Sequence, residues 1–315
     1  MLVTVGICTW NRADLLTRSL AQLEQLTIPP GVSWELLVVD NNSTDNTAEV
    51  LRSFRTRLPL RPLFEKQQGK SISCNTLLRE ARGDLLLWTD DDACPDSGWI
   101  GAMCGAFARH DAGLVFGVVR PVWLAQTPAW FGKRFLGNFA LLDYGSHPFV
   151  VTDDDHPFYG VNYGVRTEVL RSLGGFREDL GPVNHAGGGE DTDLFVRARA
   201  HDVSIVYEPS AVVGHMIEPW RCTKAFQRRR AWLGSKPFFH TLLTDQPSVP
   251  RILHVPRHLY RRAADHVGGY AKGVLQRDRS ERFYRELKLI QFAGLVSHGV
   301  RHLLRPGGSA SSSRG

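Results

Sequence analysis

The sequence predicts an α/β fold, a mainly parallel sheet covered by helices on both faces. Three observations lead there. In the first half of the chain, apolar strand-like runs alternate with segments of helical periodicity. The runs are apolar throughout rather than alternating, as strands buried on both faces are. Three of them end in polar clusters, and in such sheets ligands bind beyond the carboxyl ends of the strands.

Residues 2–9 (LVTVGICT) form the first strand, running into Thr9-Trp10-Asn11-Arg12. A helix follows, with Leu15, Leu16, Leu20, Leu23 and Leu26 at helical spacing. Residues 34–40 (WELLVVD) form the second strand and end in Asp40; the polar loop Asn41-Asn42-Ser43-Thr44-Asp45 then caps a helix carrying Val50, Leu51 and Phe54. Residues 71–82 read as a helix, and 84–89 (DLLLWT) as a third strand running into Asp90-Asp91-Asp92. Beyond these, 112–120 is a strand, 121–160 reads as aromatic-, Pro- and Gly-rich loops, and 160–166 resumes strand character. Residues 190–201 read as a helix, with short strands at 203–207 and 211–214. After Pro219, basic helices run to about Leu304, and 307–315 (GGSASSSRG) reads as a disordered tail.

A chain of 315 residues with 43% hydrophobic residues suits one large domain with an appendage. The expected division is a site-bearing domain over 1–235 (halves 1–120 and 121–235), a basic helical extension over 236–306, and the tail. Charge divides the same way. From His215 onward there are 19 lysines and arginines against 6 acidic residues, and before it 19 against 26. The net charge of +6 therefore hides an acidic body and a basic tail, which points to a polyanionic partner for the tail. No apolar run reaches membrane-spanning length, and the N-terminus lacks signal-peptide features, so cytoplasmic residence is expected. The five cysteines match no zinc or disulfide framework and read as reduced thiols.

Asp90-Asp91-Asp92 is the strongest chemical feature, because a buried strand presents it. Carboxylates one residue apart can grip Mg²⁺ or Mn²⁺, which take oxygen ligands and share them with phosphate. The second triplet, Asp153-Asp154-Asp155, has no such strand and reads as a surface loop. In Gly187-Gly188-Gly189-Glu190-Asp191-Thr192-Asp193, the acids open a helix and suit its dipole. A carboxylate beside a glycine turn in a cleft also suits a general base. Lys70 follows Gly69, but Phe64 stands where a phosphate-binding P-loop needs its first glycine.

Together these residues resemble the family-2 glycosyltransferases, which have the GT-A fold. The resemblance runs in order through residues 4–12, Val38–Asp45, Gly69-Lys70-Ser71 with Asn75, and Asp90-Asp91-Asp92 with Pro95 and Trp99. It continues through Gly160-Val161-Asn162, Leu173–Phe176, Gly189–Leu194 with Arg197, and Pro209 with Gly214-His215. It implies inverting, metal-assisted transfer from a nucleotide-diphosphate sugar to a glycan, lipid-linked or small-molecule hydroxyl acceptor. By resemblance, Thr9, Asn11, Arg12, Asp40, Asn42, Lys70, Asp90, Asp91 and Asn162 line the nucleotide-sugar pocket. Asp92, with Asp90 and His215, holds the metal. Asp191 is the base, with Glu190 the alternative, and Asp191 is expected to face the metal across the donor sugar. Trp10 and the triple aspartate depart from the usual pattern. Trp123, Trp130, Phe131, Phe135 and Phe139 either stack on sugar or lipid or pack in the core.

The basic stretch 236–306 suits an anionic membrane surface, or else a solvated helical appendage packed on the body. Nucleic acid is disfavoured as a partner, because it leaves the acidic body unexplained. A sugar nucleotidyltransferase is disfavoured by the first strand's TVGICTWNRADLL, and a non-catalytic binding module by the retained Asp92 and Asp191.

Overall fold

A computed structural model describes residues 1–153, 155–181, 188–245 and 249–304. Asp154, Gly187 and the expected tail at 307–315 lie outside the described residues. The chain divides into two compact units, Met1–Leu124 with Leu136–Ile217, and Ala125–Phe135 with Glu218 onward. The division falls at 217/218 rather than at 235, and a short segment of the 121–160 region goes with the later helices.

The first unit is built on β1 (Leu2–Thr9), β2 (Ser33–Asp40), β3 (Leu60–Phe64), β4 (Leu85–Thr89), β5 (Ala93–Pro95), β6 (Leu114–Trp123), β7 (Phe149–Val150), β8 (Asn162–Arg166) and β9 (Ile205–Ile217). The sheet order is β3-β2-β1-β4-β8-β6-β9-β5, with β7 also on β9. β3, β2, β1 and β4 are mutually parallel, β8 is antiparallel to both β4 and β6, and β6 is parallel to β9. The sheet is thus mainly parallel, with β5, β7 and β8 reversed.

Helices α1 (Ala13–Leu23), α2 (Thr47–Phe54), α3 (Lys70–Glu80), α4 (Trp99–His110), α5 (Thr167–Ser172) and α6 (Glu190–Ala200) complete this unit. The apolar runs are buried as their composition requires: Val3, Val5, Ile7, Leu36, Leu37, Val38, Val39, Leu86 and Leu87 are all 0% exposed. Each such side chain contributes about 1.5–3 kcal/mol, so the strand ends that carry polar groups are firmly anchored.

Two strands depart from the sequence reading. β3 has the composition LRPLF, and its arginine and proline hide it from an apolar pattern; proline is tolerated because β3 is an edge strand. β9 is one strand of 13 residues where two short ones are expected. Its pairing with β6 jumps from Gly117↔Glu208 to Val118↔Val212, so Pro209 sits in an irregularity without ending the strand. The 121–160 region contains a 3₁₀ helix, Lys133–Phe139, and β7. Its aromatics Trp130, Phe135 and Phe139 are buried, which favours packing over stacking on ligand.

The second unit contains α7 (Lys224–Asp245), α8 (Arg257–Leu275) and α9 (Arg279–Leu303), with a small hairpin of β10 (Arg251–Ile252) and β11 (Val255–Pro256). Its core gathers Phe239, Leu242, Val255, Leu259 and Leu295. Trp130 and Phe135 pack against Phe283, with ring centroids 4.8 and 5.8 Å away. Among the described residues no helix is long and apolar enough to cross a membrane.

Candidate active site

Thr9 pairs in register with Asp40, and Gly6 with Trp88, so β1, β2 and β4 end along one edge. The loops beyond them are laced together. The Thr44 amide donates to Asn11 Oδ1 at 2.7 Å, the Asn11 amide to Ser43 Oγ at 2.9 Å, and the Ser43 amide to Asp40 Oδ1 at 2.9 Å. Asp45 accepts from the Ala13 amide at 2.9 Å and from the Thr47 hydroxyl at 2.6 Å, joining the starts of α1 and α2. Asn41 is the buried member of its pair. It donates to the Glu65 and Gln67 carbonyls at 3.1 and 2.7 Å and accepts from the Gly69 amide at 2.9 Å, which sets the start of α3 and hence Lys70. Asn42 is exposed, with φ +63°, and donates to the Lys66 carbonyl at 3.3 Å.

The three aspartates are held differently. Asp91 is 4% exposed and accepts from the Thr9 hydroxyl at 2.8 Å and from Arg12 Nη1 at 2.8 Å. Burial pushes its carboxyl up to about 6; Arg12 opposes this, and the neighbouring Asp92 adds to it. Asp92 is 3% exposed, accepts from the same Arg12 nitrogen at 3.0 Å, and lies 3.4 Å from His215 Nε2. Asp90 turns to Lys70, whose Nζ donates to it at 2.8 Å. Arg12 is therefore a clamp on two carboxylates.

Among the described residues no three His, Cys, Asp or Glu side chains are grouped to hold a metal. The expected set of Asp90, Asp92 and His215 is accordingly not assembled, because Asp90 is paired with Lys70. Asp92 and His215 do stand together, and their chemistry fits a divalent cation. His215 Nδ1 lies 2.7 Å from the Phe139 carbonyl, which can only accept. That bond makes Nδ1 a donor and leaves Nε2 as the nitrogen facing Asp92, the usual support of a ligating histidine. Phosphate oxygens and water ordinarily fill the remaining positions around such an ion.

Lys70 joins the two acidic motifs. Its Nζ lies 2.8 Å from Asp90 and 3.7 Å from Glu190 Oε1. Burial works against its charge, but Asp90 and Glu190 hold the ammonium well above its ordinary value. Burial raises the Glu190 carboxyl, against Lys70 and with the help of Asp191. Glu190 is 7% exposed, and among the described residues its Oε2 has no hydrogen-bond partner. Asp191 is more open: Oδ2 accepts from the Gly160 amide at 3.0 Å and Oδ1 from the Thr192 amide at 2.8 Å. Gly189, with φ +95°, turns the chain into α6 so that both acids project from its first turn.

Asn162 does not reach this cleft as a ligand contact. It is 1% exposed, accepts from Trp99 Nε1 at 2.8 Å and donates to the Val118 and Ala211 carbonyls at 2.8 Å each. Its amide is a clasp between β8, β6 and β9. Asp153 and Asp155 are exposed, as the surface-loop reading requires.

A cleft open to solvent lies between Lys70, Asp90, Gly160, Glu190 and Asp191. Its remaining lining of Cys8, Cys74, Trp88, Thr89, Tyr163 and Phe176 escapes a search for charged motifs. The available signals are Trp88 just before the acidic run and Cys74 one helical turn after Lys70.

Residues 4–174 match the family described as Glycosyl transferase family 2, and the chain belongs to that family, which makes it a glycosyltransferase by class. It is 28% identical over 221 residues to glycosyltransferase AglE of Haloferax volcanii, covering 69% of this chain and 68% of that protein. It is 26% identical over 230 residues to validoxylamine A glucosyltransferase of Streptomyces hygroscopicus subsp. limoneus, covering 64% of this chain but only 49% of that longer protein. In fold it is similar to the mannosyltransferase PcManGT from Pyrobaculum calidifontis, solved in complex with GDP-Man and Mn²⁺, with a TM-score of 0.61, 22% identity, and 97% and 88% of the two chains covered. The fold is thus of the GT-A glycosyltransferase type.

Proposed function

We propose that this chain transfers a sugar, with inversion, from a nucleotide-diphosphate sugar to a hydroxyl acceptor, assisted by Mg²⁺ or Mn²⁺. The carrying observation is that Lys70 bridges Asp90 and Glu190, bringing acidic motifs 100 residues apart in sequence into one cleft. The mannosyltransferase of similar fold holds both a nucleotide sugar and Mn²⁺, which supports the donor class and the metal.

In this reading Asp40, Asn11 and Thr9 border the nucleoside, and Asp90 and Lys70 lie by the ribose and diphosphate. Asp92 and His215 hold the metal, which when bound offsets charge on the departing diphosphate. Arg12 keeps Asp91 and Asp92 in place and adds a positive charge beside them. Asp191 takes the proton of the acceptor hydroxyl, a poor nucleophile while protonated. Its two backbone N–H partners hold it oriented. Buried Glu190, ion-paired with Lys70, is the less accessible candidate for that role.

A thermal-shift screen of nucleotide sugars with and without Mn²⁺ tests the reading. A true donor raises the melting temperature by mass action, and more so with metal. No response to any nucleotide or nucleotide sugar contradicts it.

The second unit is read as a docking surface for anionic membrane. Trp232, Leu233 and Phe238 are exposed on α7 beside Arg228, Arg229 and Lys236, and α8 exposes Arg257, Arg261, Arg262 and Lys272 with Val267 and Leu275. Apolar groups flanked by cations suit a headgroup region, and a lipid-linked acceptor gives such docking a purpose.

A further inference from the structure

Tyr163 lies on β8 and lines the cleft, yet no sequence pattern marks it. It is 3% exposed. Its ring stacks on Trp88 at 6.2 Å and tilts against Phe158 at 4.7 Å. Among the described residues no hydrogen-bond partner is found for its hydroxyl, which lines the cleft. Burial, with the neighbouring Cys74, Asp191, Glu190 and Asp90, raises this hydroxyl well above its ordinary value, so it stays a donor. Glu190 lines the same cleft, and its buried Oε2 has no hydrogen-bond partner among the described residues. Among the described residues the cleft lining therefore holds an unused donor and an unused acceptor.

A group that both accepts and donates answers both, and a sugar hydroxyl is such a group. We propose that Tyr163 Oη and Glu190 Oε2 together bind one hydroxyl of the donor's sugar ring and so help determine which sugar is transferred. This rests on the reading of the cleft as the donor-sugar site. A site built around a hydroxyl discriminates strongly against a ligand lacking it, because its buried polar groups are then left unpaired.

The test separates the sugar from the nucleotide. Dissociation constants for GDP, UDP, GDP-mannose, UDP-N-acetylglucosamine and UDP-glucose are measured with Mn²⁺ on the full chain and on Tyr163→Phe, which keeps the stacked ring. The expected result is that at least one sugar nucleotide binds the parent more tightly than its own diphosphate. Tyr163→Phe then loses roughly tenfold of that gain while its GDP and UDP affinities stay within about twofold. An undiminished gain in Tyr163→Phe overturns the proposal, as does a parent that binds diphosphates but gains nothing from any sugar. A parent that binds neither diphosphates nor sugar nucleotides overturns the donor-site reading and this inference with it. If Tyr163→Phe does not fold, singly deoxygenated forms of the bound sugar nucleotide are compared on the parent: one of them should lose roughly tenfold of the gain, and an undiminished gain for all of them overturns the proposal.

Discussion

At the scale of single residues, the site is a set of carboxylates given different tasks by their partners. Asp90, Asp91 and Asp92 are adjacent in sequence but face Lys70, Thr9 with Arg12, and Arg12 with His215. The triplet is legible as an acidic run; the division of labour is not, because it depends on partners up to 123 positions away. Asp91 yields a test of the burial involved. Its folded value of about 6 lies above the ordinary aspartate value of 3.8. The folded state therefore holds a proton that the unfolded chain has released between pH about 4 and 6, and stability falls as pH rises through that window. In chelator, the stability of the parent relative to Asp91→Asn should fall by about 1–3 kcal/mol from pH 4 to 7. Denaturant melts across that range check this, and a difference that stays constant or grows contradicts it.

At the scale of elements, three parallel strands ending together bring distant motifs to one edge. That much is legible, since apolar runs ending in polar residues announce both strand and edge. What pattern reading misses is the antiparallel β8 between β4 and β6, and with it the meaning of Asn162. A polar residue in a family motif reads as a ligand contact, but here β8 turns its amide inward, where the Trp99, Val118 and Ala211 groups need it. Asn162→Ala leaves those groups unpaired in the interior and should cost about 2–4 kcal/mol of stability. Nucleotide affinity, measured below the lowered melting temperature, should be unchanged. A stable variant with weakened nucleotide binding places Asn162 at the ligand instead. Tyr163 beside it is invisible for a related reason: an aromatic residue in an apolar strand reads as core, and only its place in the cleft lining says otherwise.

At the scale of the whole molecule, the acidic body carries the site and the basic remainder carries the positive charge. The sequence shows this asymmetry directly, but not which arginines are exposed, because helical spacing alone does not say what each face packs against. Docking through the second unit predicts co-sedimentation with vesicles containing phosphatidylserine or phosphatidylglycerol, falling as salt rises from about 0.05 to 0.5 M because surface charge is screened. Equal partitioning to purely zwitterionic vesicles contradicts the electrostatic part of this reading. The central claim, that the cleft joins a donor site to a catalytic base, is tested most directly by Asp191→Asn. With a donor found by the thermal-shift screen, donor affinity and release of nucleoside diphosphate are measured side by side. Donor affinity within about threefold of the parent, with release slowed at least a hundredfold, is the predicted result. Loss of both together, or release at the parent's rate, contradicts the assignment of Asp191 as the base.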